Sequence, residues 1–157
     1  MNILFLDIDG VLNSREWYEK NKQQIDSNSG MFWRSVAELD PEACARVNRF
    51  CEEEDLKIVI SSTWRKLHKL HEIEAMFSKK GLFADIIGMT PDLKGNWRGK
   101  EVELFIKEHP ELQIEKHVIL DDDTDFNADQ PFVRTSWDIG VQDDDIEMAK
   151  QVLNGRR

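Results

Sequence analysis

The sequence predicts an α/β domain in which a central parallel sheet is covered by helices on both faces. Three observations carry this reading. Short apolar runs at Ile3 to Leu6, Ile58 to Ile60 and His117 to Leu120 lack the alternation of a half-solvated sheet and fit strands buried on both sides. Segments with apolar residues at helical spacing lie between them. Each run also ends in residues able to do chemistry, as expected where a parallel sheet offers its carboxyl edge to a ligand.

The first strand runs Ile3-Leu4-Phe5-Leu6 into Asp7. A polar stretch follows from Asn13 to Gly30, with Trp17, Tyr18, Phe32 and Trp33 in or just after it, and residues 13–40 read as a short insertion arching over the site. Asp40 then Pro41 give a helix N-cap with proline at the first helical position, and Ala43, Val47, Phe50 and Cys51 form the apolar stripe. Ile58 to Ile60 is the second strand. Leu67, Leu70, Ile73, Met76 and Phe77 mark a helix that stops near Gly81. Ala84 to Gly88 is a third strand, Val102, Phe105 and Ile106 mark a helix ending before Pro110, His117 to Leu120 is the fourth strand, and Phe132 to Ser136 is a weaker fifth. Ile146, Ala149, Val152 and Leu153 mark a terminal helix. Strands alternating with helices at this spacing argue for right-handed βαβ units, and the 157 residues read as one domain with no linker or repeat.

Composition narrows the function classes. With 21 basic against 31 acidic residues and a net charge of -10, an extended nucleic-acid-binding surface is not expected, although a short phosphorylated end remains compatible. No basic leader and no stretch of ~18 apolar residues is present, so the expectation is a cytoplasmic protein with no membrane partner. Cys44 and Cys51 fall on one helix face about two turns apart, too far for a disulfide, and read as reduced core residues. His68, His71, His109 and His117 form no metal-binding spacing.

Four clusters carry chemistry. Asp7-Ile8-Asp9-Gly10-Val11 delivers two carboxylates, which an extended chain would present on one side, and a glycine suited to a sharp turn. One carboxylate suits a nucleophile or metal ligand and the other a proton donor. Ser61-Ser62-Thr63-Trp64-Arg65 follows the second strand, where hydroxyls and free N–H groups at a helix start can hold a phosphoryl oxygen, or simply cap the helix. Arg98-Gly99-Lys100 supplies cations near the strand ends, and the spacing leaves open which of Arg98 and Lys100 points inward. Asp121-Asp122-Asp123-Thr124-Asp125 sets four carboxylates in five residues, for which a divalent cation is the natural neutraliser. A calcium EF-hand loop fails here, because Phe126 or Ala128 stands where glycine is required and Phe132 or Arg134 where glutamate is required. Asp7, Asp9, Asp121, Asp122, Asp123 and Asp125 account for six of the ten net negative charges, so much of the acidity belongs to the candidate site.

In order and placement these clusters resemble the four motifs of the haloacid dehalogenase-like superfamily, and over essentially the whole chain. Asp7-x-Asp9-Gly10-Val11 matches motif I, Ser61 or Ser62 motif II, Arg98 or Lys100 motif III, and Asp121-Asp122 with Asp125 motif IV. With Thr90-Pro91 and Arg98-Gly99, the chain looks like the small phosphatase-type domains grouped with "Swiss army knife" RNA repair proteins. Motif III usually presents a lysine, whereas Arg98 looks like the basic residue preferred in this group. The resemblance implies a Rossmann-like three-layer α/β/α fold with minimal or no cap. It implies a Mg2+-dependent phosphomonoesterase in which Asp7 becomes an aspartyl-phosphate, Asp9 moves protons, and Ser61, Arg98 and Lys100 meet the phosphoryl oxygens. Ser62, Arg65 and Gly10 would border the substrate, and Asp7, Asp9, Asp121, Asp122 and Asp125 would serve the metal.

Residues 13–40 are too short for a full helical cap, so the site is expected to be open. That suits a phosphorylated nucleic-acid terminus, while a phosphorylated small molecule would need a lid or partner to exclude water. Trp17, Tyr18 and Trp33 are candidates to stack a base, against the ordinary role of bracing a loop; Trp64 and Trp97 read as braces. Two rival readings are a phospho-accepting signalling module, disfavoured because such modules place adjacent acids after the first strand, and an inactive scaffold that binds a metal or partner.

Overall fold

In the computed structural model, which describes residues 1–95 and 97–155, five strands form one wholly parallel sheet. They are β1 (Asn2–Leu6), β2 (Leu56–Ile60), β3 (Ile86–Met89), β4 (Lys116–Asp121) and β5 (Phe132–Arg134), in the order β3-β2-β1-β4-β5. The α-helices among the described residues are α1 (Arg15–Ser27), α2 (Met31–Glu38), α3 (Pro41–Glu54), α4 (Leu70–Ser78), α5 (Arg98–Glu108) and α6 (Asp143–Leu153). This is the α/β Rossmann-like arrangement the sequence predicts.

The three layers follow from strand parity. Leu4, Leu6, Ile58, Ile60, Val118 and Leu120 turn to one face, where Val47 and Phe50 of α3, Ile73 and Phe77 of α4, and Ile146 and Ala149 of α6 cover them. The intervening Ile3, Phe5, Val59 and Ile119 turn to the other face, where Val102 and Phe105 of α5 meet them and the Phe5 and Phe105 rings pack edge to face at 5.7 Å. Apolar runs without alternation are therefore required, since both faces are dry.

Local signals set several boundaries. Asp40 caps α3, its carboxylate accepting from the Glu42 N–H at 2.9 Å, with Pro41 behind it. Leu67 is exposed and belongs to no helix; a 3-10 turn over Thr63–Lys66 precedes α4, which starts only at Leu70. The polar stretch after Asn13 is more regular than its composition suggests. It forms α1 and α2, opened by Ser14, whose hydroxyl accepts from the Trp17 N–H at 3.0 Å, and fixed to the turn that precedes α4 by a 3.0 Å contact between Ser35 Oγ and His68 Nε2. Cys44 and Cys51 are free and buried, and burial pushes both thiols up to about 12. Among the described residues no helix is long and apolar enough to cross a membrane.

Candidate active site

Sheet register brings the site together. Leu6 of β1 pairs with Ile60 of β2 on one side and with Leu120 of β4 on the other, so Asp7, Ser61 and Asp121 stand side by side one residue further on. The ladder continues through them, with Asp7 N–H donating to the Leu120 carbonyl at 3.0 Å and Ser61 N–H to the Leu6 carbonyl at 2.9 Å. Because Leu6, Ile60 and Leu120 face α3, α4 and α6, the next residues face α5. Arg98 is the first residue of α5 and meets them there. The chain runs β1, β2, β3 outward and then returns to β4 across β1, which makes this edge the topological switch point where open α/β sheets bind ligands.

Arg98 Nη1 lies 3.0 Å from Asp121 Oδ2 and 3.4 Å from Asp7 Oδ1, and also donates to the Ser61 carbonyl. Asp7 and Asp121 are buried, and with Asp122 they bring carboxylate oxygens within 4.8 Å of one another. Burial first, and the Asp121 charge second, raise the Asp7 carboxyl well above the ordinary carboxylate range, against the lowering pull of Arg98. Burial likewise pushes Asp121 up to about 6 despite Arg98. One guanidinium thus faces two buried carboxyls, with that of Asp122 close by them, and the oxygen-only donor set suits a hard divalent cation. Beside them the Ser61 hydroxyl is fully buried with no hydrogen-bond partner among the described residues. An orphaned buried hydroxyl costs about 1 to 3 kcal/mol, a cost that an anionic oxygen docking beside Arg98 would relieve.

Asp9 departs from the extended arrangement expected of it. The strand ends at Leu6, and the Ile8 carbonyl takes the N–H groups of both Val11 and Leu12, which curls the chain after Asp7. Asp9 is consequently exposed at the rim, its Oδ1 held by Asn13 Nδ2 at 2.8 Å and by the indole N–H of Trp64 at 3.0 Å. Gly10 makes the curl, with a φ of 81° and no room for a side chain: a Cβ there would lie 2.2 Å from Asp122 Oδ2. The other residues singled out are less central. The Ser62 hydroxyl is occupied in accepting from the Trp64 N–H at 3.2 Å. Asp125 caps α5, its Oδ2 accepting from the Arg98 N–H at 2.7 Å and its carbonyl from Gly99 N–H at 2.9 Å. Lys100 is exposed and lies over the Trp97 ring at 4.3 Å, outside the carboxyl cluster.

Two features near the site were not legible in the sequence. Arg65 turns from the site into a buried clasp, donating at 2.9 Å to Glu101, whose side chain is only 2% exposed and also accepts from Leu93 N–H at 2.8 Å. Glu101 sits one turn after Arg98 in an ordinary mixture of charged residues, so nothing in the spacing distinguishes it. Trp137 projects from the loop after β5 and borders two clefts, of about 520 Å3 beside Asp9 and about 580 Å3 beside Asp122. Only its position after a strand could have pointed to it.

No curated protein and no solved structure matches the chain. A family model does match, that of the HAD domain in Swiss Army Knife RNA repair proteins, over residues 3–146 of the 157. With the parallel sheet and the carboxylate cluster at its switch point, that match over most of the chain makes it a member of the family of HAD domains found in Swiss Army Knife RNA repair proteins.

Proposed function

We propose that this HAD-type hydrolase is a Mg2+-dependent phosphomonoesterase acting through an aspartyl-phosphate on Asp7. The observation that carries the reading is the fully buried, unpartnered Ser61 hydroxyl standing level with Asp7 and Asp121, beside the Arg98 guanidinium. A phosphoryl group satisfies that hydroxyl and brings the negative charge that Arg98 can meet. Asp7, Asp121 and Asp122 are the residues that would hold Mg2+, which when bound supplies positive charge to neutralise the carboxylates and the phosphoryl oxygens.

The chain's own residues then account for the chemistry. An Asp7 carboxylate oxygen attacks phosphorus as the bond to the leaving oxygen breaks, dividing one difficult displacement into two. Asp9 donates a proton to that leaving oxygen, and later takes one from the water that attacks phosphorus and frees Asp7. Its Oδ1 is anchored by Asn13 and Trp64, which fixes the carboxyl and leaves Oδ2 for proton transfer. Arg98 and the Ser61 hydroxyl hold the non-bridging oxygens. Substrate candidates are a phosphorylated small molecule, including a nucleotide, and a nucleic-acid terminus.

The test is phosphate release from nucleotides, sugar phosphates and 5′- and 3′-phosphorylated oligonucleotides, with Mg2+ or with EDTA. We expect Mg2+-dependent release by the wild type and a loss of at least about a thousandfold in Asp7→Asn, the scale expected when a covalent nucleophile is removed. Release undiminished in Asp7→Asn would refute the mechanism. A single stable phosphoryl group per chain without turnover would make the protein a phospho-acceptor.

A further inference from the structure

We propose that Trp137 is the platform on which the substrate's leaving group stacks, and that this leaving group bears a planar, hydrogen-bond-donating heteroaromatic base and no further phosphate, so that the substrate is a nucleoside monophosphate. This rests on the phosphomonoesterase reading above.

The first observation separates Trp137 from the other tryptophans. Trp64 donates its indole N–H to Asp9 and Trp17 donates to the Ala37 carbonyl at 3.1 Å, with Lys80 over the Trp17 ring. Trp33 packs against Phe32 and beneath Lys79, and Trp97 beneath Lys100. Among the described residues Trp137 alone has neither a partner for its indole N–H nor a ring or cation over its face, and it is 56% exposed. Its ring is thus left open to solvent and to a ligand.

The backbone around Trp137 is tied at many points to the site. The Trp137 carbonyl accepts from Arg15 N–H at 3.0 Å and the Asp138 carbonyl from Glu16 N–H at 3.0 Å, so the loop caps the start of α1. Gly140 N–H closes the loop on the Ser136 carbonyl at 2.7 Å. On its near side Thr135 Oγ1 donates to the Gly10 carbonyl at 2.7 Å, and on its far side Val141 N–H donates to the Val11 carbonyl at 2.9 Å. The backbone that carries the indole is therefore fixed relative to the Asp7 to Gly10 turn, which places the ring at the mouth of the site before any ligand arrives.

The surrounding charge selects what can stack there. In the cleft beside Asp9, Glu19 and Glu38 are acceptors, and the cation Arg15 is already paired with Asp138 at 2.8 Å. In the cleft beside Asp122, Asp144 and Asp145 add more negative charge, while Arg134 spends its Nε on the Asp122 carbonyl at 3.0 Å. A second phosphate on either side would be repelled, whereas an amino-bearing base finds acceptors and an aromatic face.

The experiment compares kcat/KM for adenosine 5′- and 3′-monophosphates, ribose 5-phosphate and a 3′- or 5′-phosphorylated hexanucleotide in wild type, Trp137→Ala and Trp137→Phe, alongside calorimetric titration of the mononucleotides into the same three proteins. We expect a preferred mononucleotide to exceed ribose 5-phosphate by about tenfold or more, that ratio to collapse toward one in Trp137→Ala, and Trp137→Phe to restore most of it. A ratio unchanged in Trp137→Ala overturns the stacking role, and a hexanucleotide turned over better than either mononucleotide overturns the assignment of substrate. If no phosphomonoester is hydrolysed, the phosphatase reading fails and the titration decides the rest: binding about tenfold weaker in Trp137→Ala supports the platform, and equal binding refutes it.

Discussion

At the scale of single residues, the neighbouring hydroxyls Ser61 and Ser62 stand in opposite hydrogen-bonding situations at one strand end. Ser62 Oγ satisfies the Trp64 N–H and so opens the 3-10 turn, whereas Ser61 Oγ is buried with no hydrogen-bond partner among the described residues. Ser62→Ala should therefore behave as a lost cap, destabilising by about 1 kcal/mol. Ser61→Ala removes an unsatisfied buried polar group, so its stability should be unchanged or raised by up to about 1 kcal/mol, while phosphate release falls about tenfold to a hundredfold. Urea denaturation and steady-state kinetics on both variants separate the two. A Ser61→Ala protein that loses stability but keeps its rate would mean the hydroxyl is structural.

At the scale of elements, the Arg65 to Glu101 clasp couples three pieces of chain: the turn after β2, the loop after β3 and the helix α5 that carries Arg98. Both side chains are nearly inaccessible, and Arg65 has a further partner in Asp92 at 3.6 Å. Removing the charge from one member of a buried pair leaves Arg65 with only the longer pairing to Asp92, so Glu101→Gln should cost about 3 kcal/mol, with KM for phosphoesters rising as Arg98 loses its setting. A double-mutant cycle with Arg65→Met is the appropriate measurement, and additive losses would show that the two side chains do not act together. This clasp also marks the limit of what the sequence discloses. The strands, α3, α5 and α6 were legible because apolar periodicity and the Asp40-Pro41 cap are local properties, and the edge where the chemistry gathers followed from parallel topology. The helices α1 and α2 were hidden because their exposed faces are polar and they bury little besides Ile25, Ser35 and Val36. The curl after Asp7 is closed by local bonds from Val11 and Leu12 to Ile8 that no apolar pattern signals, while the anchoring of Asp9 by Trp64 and the pairing of Arg65 with Glu101 depend on contacts between distant segments that no spacing rule contains.

At the scale of the whole molecule, the acidity of the chain is concentrated where the fold can least tolerate it. Asp7 and Asp121 are buried against one another with only Arg98 between them, and the cost of ionising them is borne by the entire folded state. Their folded pKa values are raised, so the native protein holds protons that the unfolded chain releases. Stability linked to these groups is complete below the unfolded value of 3.8 and is lost as pH rises through the folded values, about 6 for Asp121. His117, whose burial lowers its pKa, acts in the opposite direction, but does so equally in wild type and in Asp121→Asn and cancels in their difference. In EDTA the melting temperature of the wild type should therefore fall relative to that of Asp121→Asn as pH rises from about 5 to about 8. Adding Mg2+ to a hundredfold excess over its Kd should reverse this, stabilising the wild type by about 2.7 kcal/mol or roughly 5 to 10 °C, and leave Asp121→Asn with little of that gain. Thermal melts of the two proteins across pH, with and without Mg2+, measure both effects. A difference independent of pH would show that the carboxyls carry no such penalty, and an equal Mg2+ gain in the variant would place the cation elsewhere. The expected pattern would instead mean that the site is built at the expense of the fold and that its cofactor restores what was lost.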